Sequence, residues 1–162
     1  AQDYAEKMEP SVTIDFSVVN HGGLRTSLPK GNITTNNIFE LMPFENELVI
    51  LKLTGKQVSE LVNFITTRGG EGVAGIKFGM RSGRAEAVLV QNKPLNPDSV
   101  YWMVTSDYIA NGGDGMKILT FADQKIMTGA KIRDVIINNL RKLKSEGKIV
   151  TAKTDRRIYN VE

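Results

Sequence analysis

The chain has 162 residues, of which 41% are hydrophobic and 24% charged, the balance of one folded domain and not of a disordered or fibrous chain. The absence of cysteine excludes disulfides, thiol catalysis and cysteine-ligated zinc or iron–sulfur centres, and the single histidine, His21, excludes a histidine-rich metal centre built by this chain alone, leaving only an all-carboxylate site open. The formal charge of +3 is small but unevenly placed: Lys131 to Arg157 carries nine basic residues (Lys131, Arg133, Arg141, Lys142, Lys144, Lys148, Lys153, Arg156, Arg157) against three acidic ones, which leaves the rest at −3.

Tyr4, Ala5 and Met8 stand at helical spacing before Pro10, so the first residues read as the end of a helix. No basic stretch leading into an apolar core follows Ala1, so a signal peptide is expected to have been removed or never to have existed. Val12, Ile14, Phe16 and Val18 alternate with polar residues and predict a half-buried strand ending in the loop Asn20 to Arg25. After a turn at Leu28 to Gly31, Thr34 or Thr35 caps a short helix that stops before Pro43. Glu47 to Leu53 predicts a strand, and Thr54 with Gln57 three residues on predicts a capped helix whose apolar stripe is Val58, Leu61, Val62 and Ile65. Arg68 to Gly72 is expected to be a mobile loop.

Val73 to Met80 and Arg84 to Val90 read as a hairpin around Arg81-Ser82-Gly83. A turn segment, Asn92 to Asp98, leads into a strand over Val100 to Thr105. Beyond the glycine-rich loop Asn111 to Gly115, Met116 to Phe121 is expected to be a short strand and Lys131 to Lys144 a long helix closed by Gly147. Arg157 to Val161 can add an edge strand. No repeat, low-complexity tract or linker is evident, and the intermixed elements predict an α+β single domain, a mixed β-sheet with packed helices.

Two loops concentrate glycine beside ligand-binding groups. In Asn20-His21-Gly22-Gly23-Leu24-Arg25 the paired glycines let backbone N–H groups approach an anion while an Arg fork suits phosphate or carboxylate; the alternative is a tight turn with a surface Arg. In Ser106 to Gly115 the glycines around Asp114 suit a carboxylate held as an acceptor or metal ligand; the alternative is a plain turn. Neither spacing is that of a dinucleotide fingerprint or a P-loop. Phe44 and Tyr108 read as core or rim aromatics by themselves, but if both were exposed and faced each other they would form a slot for a flat ring. His21 reads as a loop-lining residue, since no second histidine or nucleophile elbow accompanies it.

Taken in order, these segments resemble the C-terminal domain of the 5'-nucleotidase and UDP-sugar hydrolase family, also found in bacterial 2',3'-cyclic-nucleotide phosphodiesterases. The family's Asn-x-Gly-Gly-Ile/Leu-Arg is met by Asn20 to Arg25 and its Leu-Pro-Phe-Gly-Asn by Leu41 to Asn46. Its strand, Leu-Thr-Gly and helix are met at Leu53-Thr54-Gly55, and its aromatic followed by Ala-Asn-Gly-Gly-Asp-Gly at Tyr108 to Gly115. The resemblance implies that residues 1–162 are a substrate-binding domain lacking part of its N-terminal helix and, with it, part of the basic lining. It places the catalytic His-Asp pair and two divalent metals on a separate N-terminal metallophosphoesterase domain or partner chain, with no catalytic residue, metal or cofactor in this one.

By the same resemblance Phe44 and Tyr108 sandwich a base, Asp114, presented by Gly113, accepts from ribose hydroxyls, and Asn46 approaches the base edge. Arg25, Asn20 and the backbone at Gly22 and Gly23 face the phosphate. Glu45 replaces the family's Gly and puts a charge beside the base slot. The implied function is nucleotide or nucleoside recognition for a phosphoester hydrolase, in a periplasmic or extracytoplasmic setting, with this chain alone inactive. Two other readings are a stand-alone nucleoside- or nucleotide-binding protein and a structural or interaction protein that retains the fold. Against a nucleic-acid polymer as partner, the basic stretch has no aromatic on which bases could stack.

Overall fold

The computed structural model describes residues 1–151 and 154–161. Its centre is a five-stranded sheet in the order β3-β1-β7-β2-β8, formed by β1 (Phe16–Val19), β2 (Glu47–Thr54), β3 (Gly72–Ala74), β7 (Val100–Ser106) and β8 (Gln124–Lys131). β1 runs parallel to β7, and the other neighbours in this sheet are antiparallel. A second sheet of four strands has the order β6-β5-β4-β9, from β4 (Ile76–Arg81), β5 (Arg84–Val90), β6 (Lys93–Pro94) and β9 (Ile158–Asn160). The expected mixed sheet is therefore two mixed sheets. The expected hairpin and terminal edge strand are present in the second, where β9 lies parallel to β4.

Strand β2 shows why the central sheet forms. Leu48 and Ile50 point to one face and Val49, Leu51 and Leu53 to the other, and all five are buried, because both faces of the sheet are covered. On one face, α3 (Gly55–Thr67) inserts Val58, Leu61, Val62 and Ile65 into a core shared with both sheets, including Phe16, Phe78 and Met103. Its N-terminus is held by the expected capping box: Gln57 N–H donates to Thr54 Oγ1 at 3.3 Å and Thr54 N–H donates to Gln57 Oε1 at 2.8 Å. On the other face lie α1 (Gln2–Met8) and α5 (Ile132–Ser145), which bring Ala5, Ile132 and Val135 against Ile14, Leu48 and Val104. Thr34 caps α2 (Thr35–Leu41), which packs Ile38 and Leu41 on Ile137 of α5.

Four local expectations are corrected. Residues 73–80 are not one strand: Gly75, at φ +76° and with no room for a Cβ against the Asp15 carbonyl, turns the chain from the first sheet into the second. Residues 116–121 are not a strand but a 3-10 turn over Lys117–Phe121; Met116 and Leu119, three apart, are the buried pair, which is the 3-10 period. The strand that follows, β8, was not anticipated. Met8, placed in the apolar set of α1, is exposed. No helix of the described residues is long and apolar enough to cross a membrane.

Candidate functional site

The strand directions gather five chain segments at one end of the central sheet. β1 and β7 are parallel, so the loops after them emerge together, while the antiparallel neighbours bring the starts of β2 and β3 and the end of β8 to the same end. There Asn20 to Arg25 follows β1, Phe44 to Asn46 precedes β2, Tyr108 to Asp114 follows β7, Arg68 to Glu71 precedes β3, and Lys131 and Arg133 stand where β8 enters α5.

Asn20, Gly22, Gly23, Arg25, Phe44, Asn46, Tyr108 and Asp114 line a single cleft of about 280 Å³. Phe44 is 40% and Tyr108 45% exposed, so neither ring is core. Of the residues expected to bind substrate, Gly113 alone is not among those lining the cleft. It lies behind the Tyr108 ring, where a Cβ would come within 2.5 Å of Tyr108 Cε1 and 2.6 Å of the Tyr108 carbonyl oxygen.

Asp114 is fixed from several sides. Its Oδ2 accepts from Asn20 Nδ2 at 2.7 Å and its Oδ1 from the Tyr108 hydroxyl at 3.0 Å, while its own N–H donates to that hydroxyl oxygen at 3.2 Å. Arg68 Nη2 lies 3.8 Å from Oδ2. Tyr108 rides on the short helix α4 (Asp107–Ala110), which Ser106 caps by accepting from Ile109 N–H. Arg25 stands with its guanidinium 5.8 Å from the Phe44 ring centroid and donates to the Gly22 carbonyl at 3.3 Å.

The segment before β3, expected to be mobile, is pinned by a residue that the motifs did not single out. Glu71 is 6% exposed; its Oε2 accepts from His21 N–H at 2.7 Å and its Oε1 from Arg68 Nε at 2.9 Å. The Glu71 hydrogen bond raises the Arg68 guanidinium above its ordinary value. His21 keeps its ring outside, with Nδ1 3.3 Å from Glu71 Oε2, so its part is to hold the loop through its backbone. A glutamate set among glycines carries no local signature of burial, and only the pairing of β1 with β3 brings it under His21.

Glu45 does not line the cleft. Its carboxylate turns outward to Lys131 and Arg133, which neutralise the charge expected beside the slot. Among the described residues no three histidine, aspartate or glutamate side chains come together to hold a metal ion. Much of the basic stretch is paired: Lys131 and Arg133 with Glu45, Lys142 and Lys148 with Glu146, Arg157 with Asp155, whereas Lys153 lies outside the described residues.

The family profile described as 5'-nucleotidase, C-terminal domain matches residues 2–121. A 5'-nucleotidase of Vibrio vulnificus is 32% identical over 133 residues, covering 79% of this chain and 24% of that protein. A trifunctional nucleotide phosphoesterase of Bacillus subtilis is 29% identical over 170 residues, covering 90% of this chain and 11% of its own length. Among solved structures, the 5'-nucleotidase precursor of Thermus thermophilus superposes with a TM-score of 0.84 at 28% identity, covering 99% of this chain and 34% of that one. The chain thus spans about a quarter or less of the length of these curated relatives.

Proposed function

The chain belongs to the 5'-nucleotidase C-terminal domain family, and from that premise we propose that its cleft holds the nucleoside part of a nucleotide and turns the phosphate toward a catalytic domain outside this chain. The observation that carries this reading is the meeting, in one cleft, of two half-exposed rings, one from the loop before β2 and one from α4, with a carboxylate already set in place. Phe44 and Tyr108 supply faces on which a base stacks, a contact open to any base. An aspartate carboxylate has about four acceptor positions, so the bonds from Asn20 and Tyr108 leave Asp114 room to accept from ribose hydroxyls.

Arg25, with Asn20 and the backbone at Gly22 and Gly23, forms the polar side of the cleft and faces the phosphate, and Asn46 meets the base edge. On this reading the two divalent metals implied by the family resemblance belong to the catalytic domain or partner chain, in an extracytoplasmic setting. Domain 1–162 contributes orientation and substrate choice.

Ligand-observed NMR titration of adenosine and of a pyrimidine nucleoside tests the reading. Phe44→Ala and Tyr108→Ala should each weaken both nucleosides together, by about 1 to 3 kcal/mol. Asp114→Asn should weaken ribonucleosides more than their 2',3'-dideoxy forms, which lack the donors. Unchanged affinity in both ring variants would contradict the proposed slot.

A further inference from the structure

We infer that Arg133 and Lys131, acting through Glu45, set nucleoside affinity by holding Phe44 in place, so that the start of α5 is a positioning element for the cleft; this rests on the nucleoside reading above. Three residues flanking Phe44 tie the loop before β2 to this point. The Pro43 carbonyl accepts from Arg133 Nη1 at 3.4 Å, the Glu45 carboxylate accepts from Arg133 Nη2 and Lys131 Nζ, and the Asn46 carbonyl accepts from Ile132 N–H at 2.9 Å.

The side chains of the loop divide accordingly. Phe44 and Asn46 line the cleft and Glu45, between them, does not. Holding Glu45 outward restricts where the adjoining Phe44 can point, whereas Asn46 is held separately by the bond from Ile132 N–H to its carbonyl. Arg133 is itself held: it is 7% exposed and its guanidinium lies 4.0 Å from the Phe39 ring centroid on α2. Its Nε is buried and makes no hydrogen bond to a described residue, so the hydrogen bonds to Glu45 and Pro43 are what satisfy this buried cation. A buried guanidinium, planar and permanently charged, gives the exposed Glu45 a fixed anchor that a second flexible surface side chain would not.

The test is a double-mutant cycle on the full 162-residue chain, with adenosine affinity read by NMR titration. Glu45 is largely exposed but is an acceptor for the buried Arg133, so thermal melts of each variant establish that the fold is retained before affinities are compared. Glu45→Ala should weaken adenosine about three- to tenfold, and should have no further effect in the Phe44→Ala background, because it acts through that ring. In the Asp114→Asn background its effect should persist in full. Arg133→Lys, which keeps the charge but loses the fork, should fall between wild type and Glu45→Ala.

A general loss of structure would weaken binding in every background, so the selective coupling to Phe44 is the readout that a merely structural role does not produce. Unchanged affinity in Glu45→Ala while Phe44→Ala still weakens adenosine overturns the positioning role and leaves the nucleoside reading standing. Equal effects of Glu45→Ala in both backgrounds also overturn it. No binding by wild type overturns both readings, and the wild-type titration alone reveals that case.

Discussion

Asp114 holds its backbone in the left-handed region, at φ 53°, a conformation that Asp and Asn adopt more readily than other side-chain-bearing residues, and Gly112, two residues earlier, lies there too. That turn, and not the carboxylate's chemistry by itself, carries Asp114 back under the Tyr108 hydroxyl. The glycines around it made this loop legible in sequence. Arg68 and Glu71 were not, because their roles depend on β3 pairing with β1, a contact with no local signature. A different kind of residue-scale effect sits at Asp15, whose carboxylate accepts from Trp102 N–H at 2.7 Å.

Burial raises the pKa of Asp15 above its ordinary value of 3.8, outweighing the Trp102 hydrogen bond that lowers it. The sign follows directly. In the pH range between 3.8 and the raised folded value, the native state binds more protons than the unfolded chain, so this group makes stability fall as pH rises through that window. Asp15→Asn keeps an acceptor for Trp102 and removes the titration. Urea melts between about pH 4 and pH 7 should show the variant gaining stability relative to wild type as pH rises; a constant difference would contradict the assigned cause.

At the scale of elements, strong periodicity was readable and weak or borrowed structure was not. β2 and α3 are dense in apolar residues with a capping signal between them, and both lie where expected. β8 is an edge strand whose only partner among the described residues is β2; Lys125, Gly129, Ala130 and Lys131 give it little strand propensity, and the ladder to β2 supplies the rest. One signal was available. Thr128-Gly129, Ile132, Val135 and Ile136 share the spacing of Thr54-Gly55, Val58, Leu61 and Val62, although Thr54 caps α3 whereas Thr128 and Gly129 lie within β8.

The segment between α3 and β3 is tied to the loop after β1 by Glu71, and removing that tie should be measurable. Glu71→Ala leaves the partly buried His21 N–H and Arg68 Nε without their acceptor and should cost about 1 to 3 kcal/mol in urea melts. A loss within about 0.5 kcal/mol, the range of ordinary surface substitutions, would mean that the two segments do not depend on each other.

For the whole molecule, the sheet topology explains why Asn20 and Asp114, 94 positions apart, meet. Sequence motifs identified the fold family and the residues that line the cleft, but not the division into two sheets, which needs the turn at Gly75, nor the anchor at the start of α5, which arises only when β8 is laid against β2. If, as proposed, this chain binds the nucleoside and the chemistry lies on another domain, the isolated 162-residue chain should release no phosphate from nucleoside monophosphates with Mg²⁺, Mn²⁺ or Zn²⁺ present. Turnover of about 1 s⁻¹ or more that follows the protein through purification would contradict this, being the low end of ordinary enzyme rates.

The most direct measurement is the position of a bound nucleoside, obtained from intermolecular NOEs between adenosine and the isotope-labelled protein. The expected result is that the adenine protons H2 and H8 show NOEs to the ring protons of both Phe44 and Tyr108, with the ribose beside Asp114. NOEs from adenine to a different surface, such as the groove between α2 and α5 lined by Ile38 and Leu140, with none to either ring, would contradict the central claim.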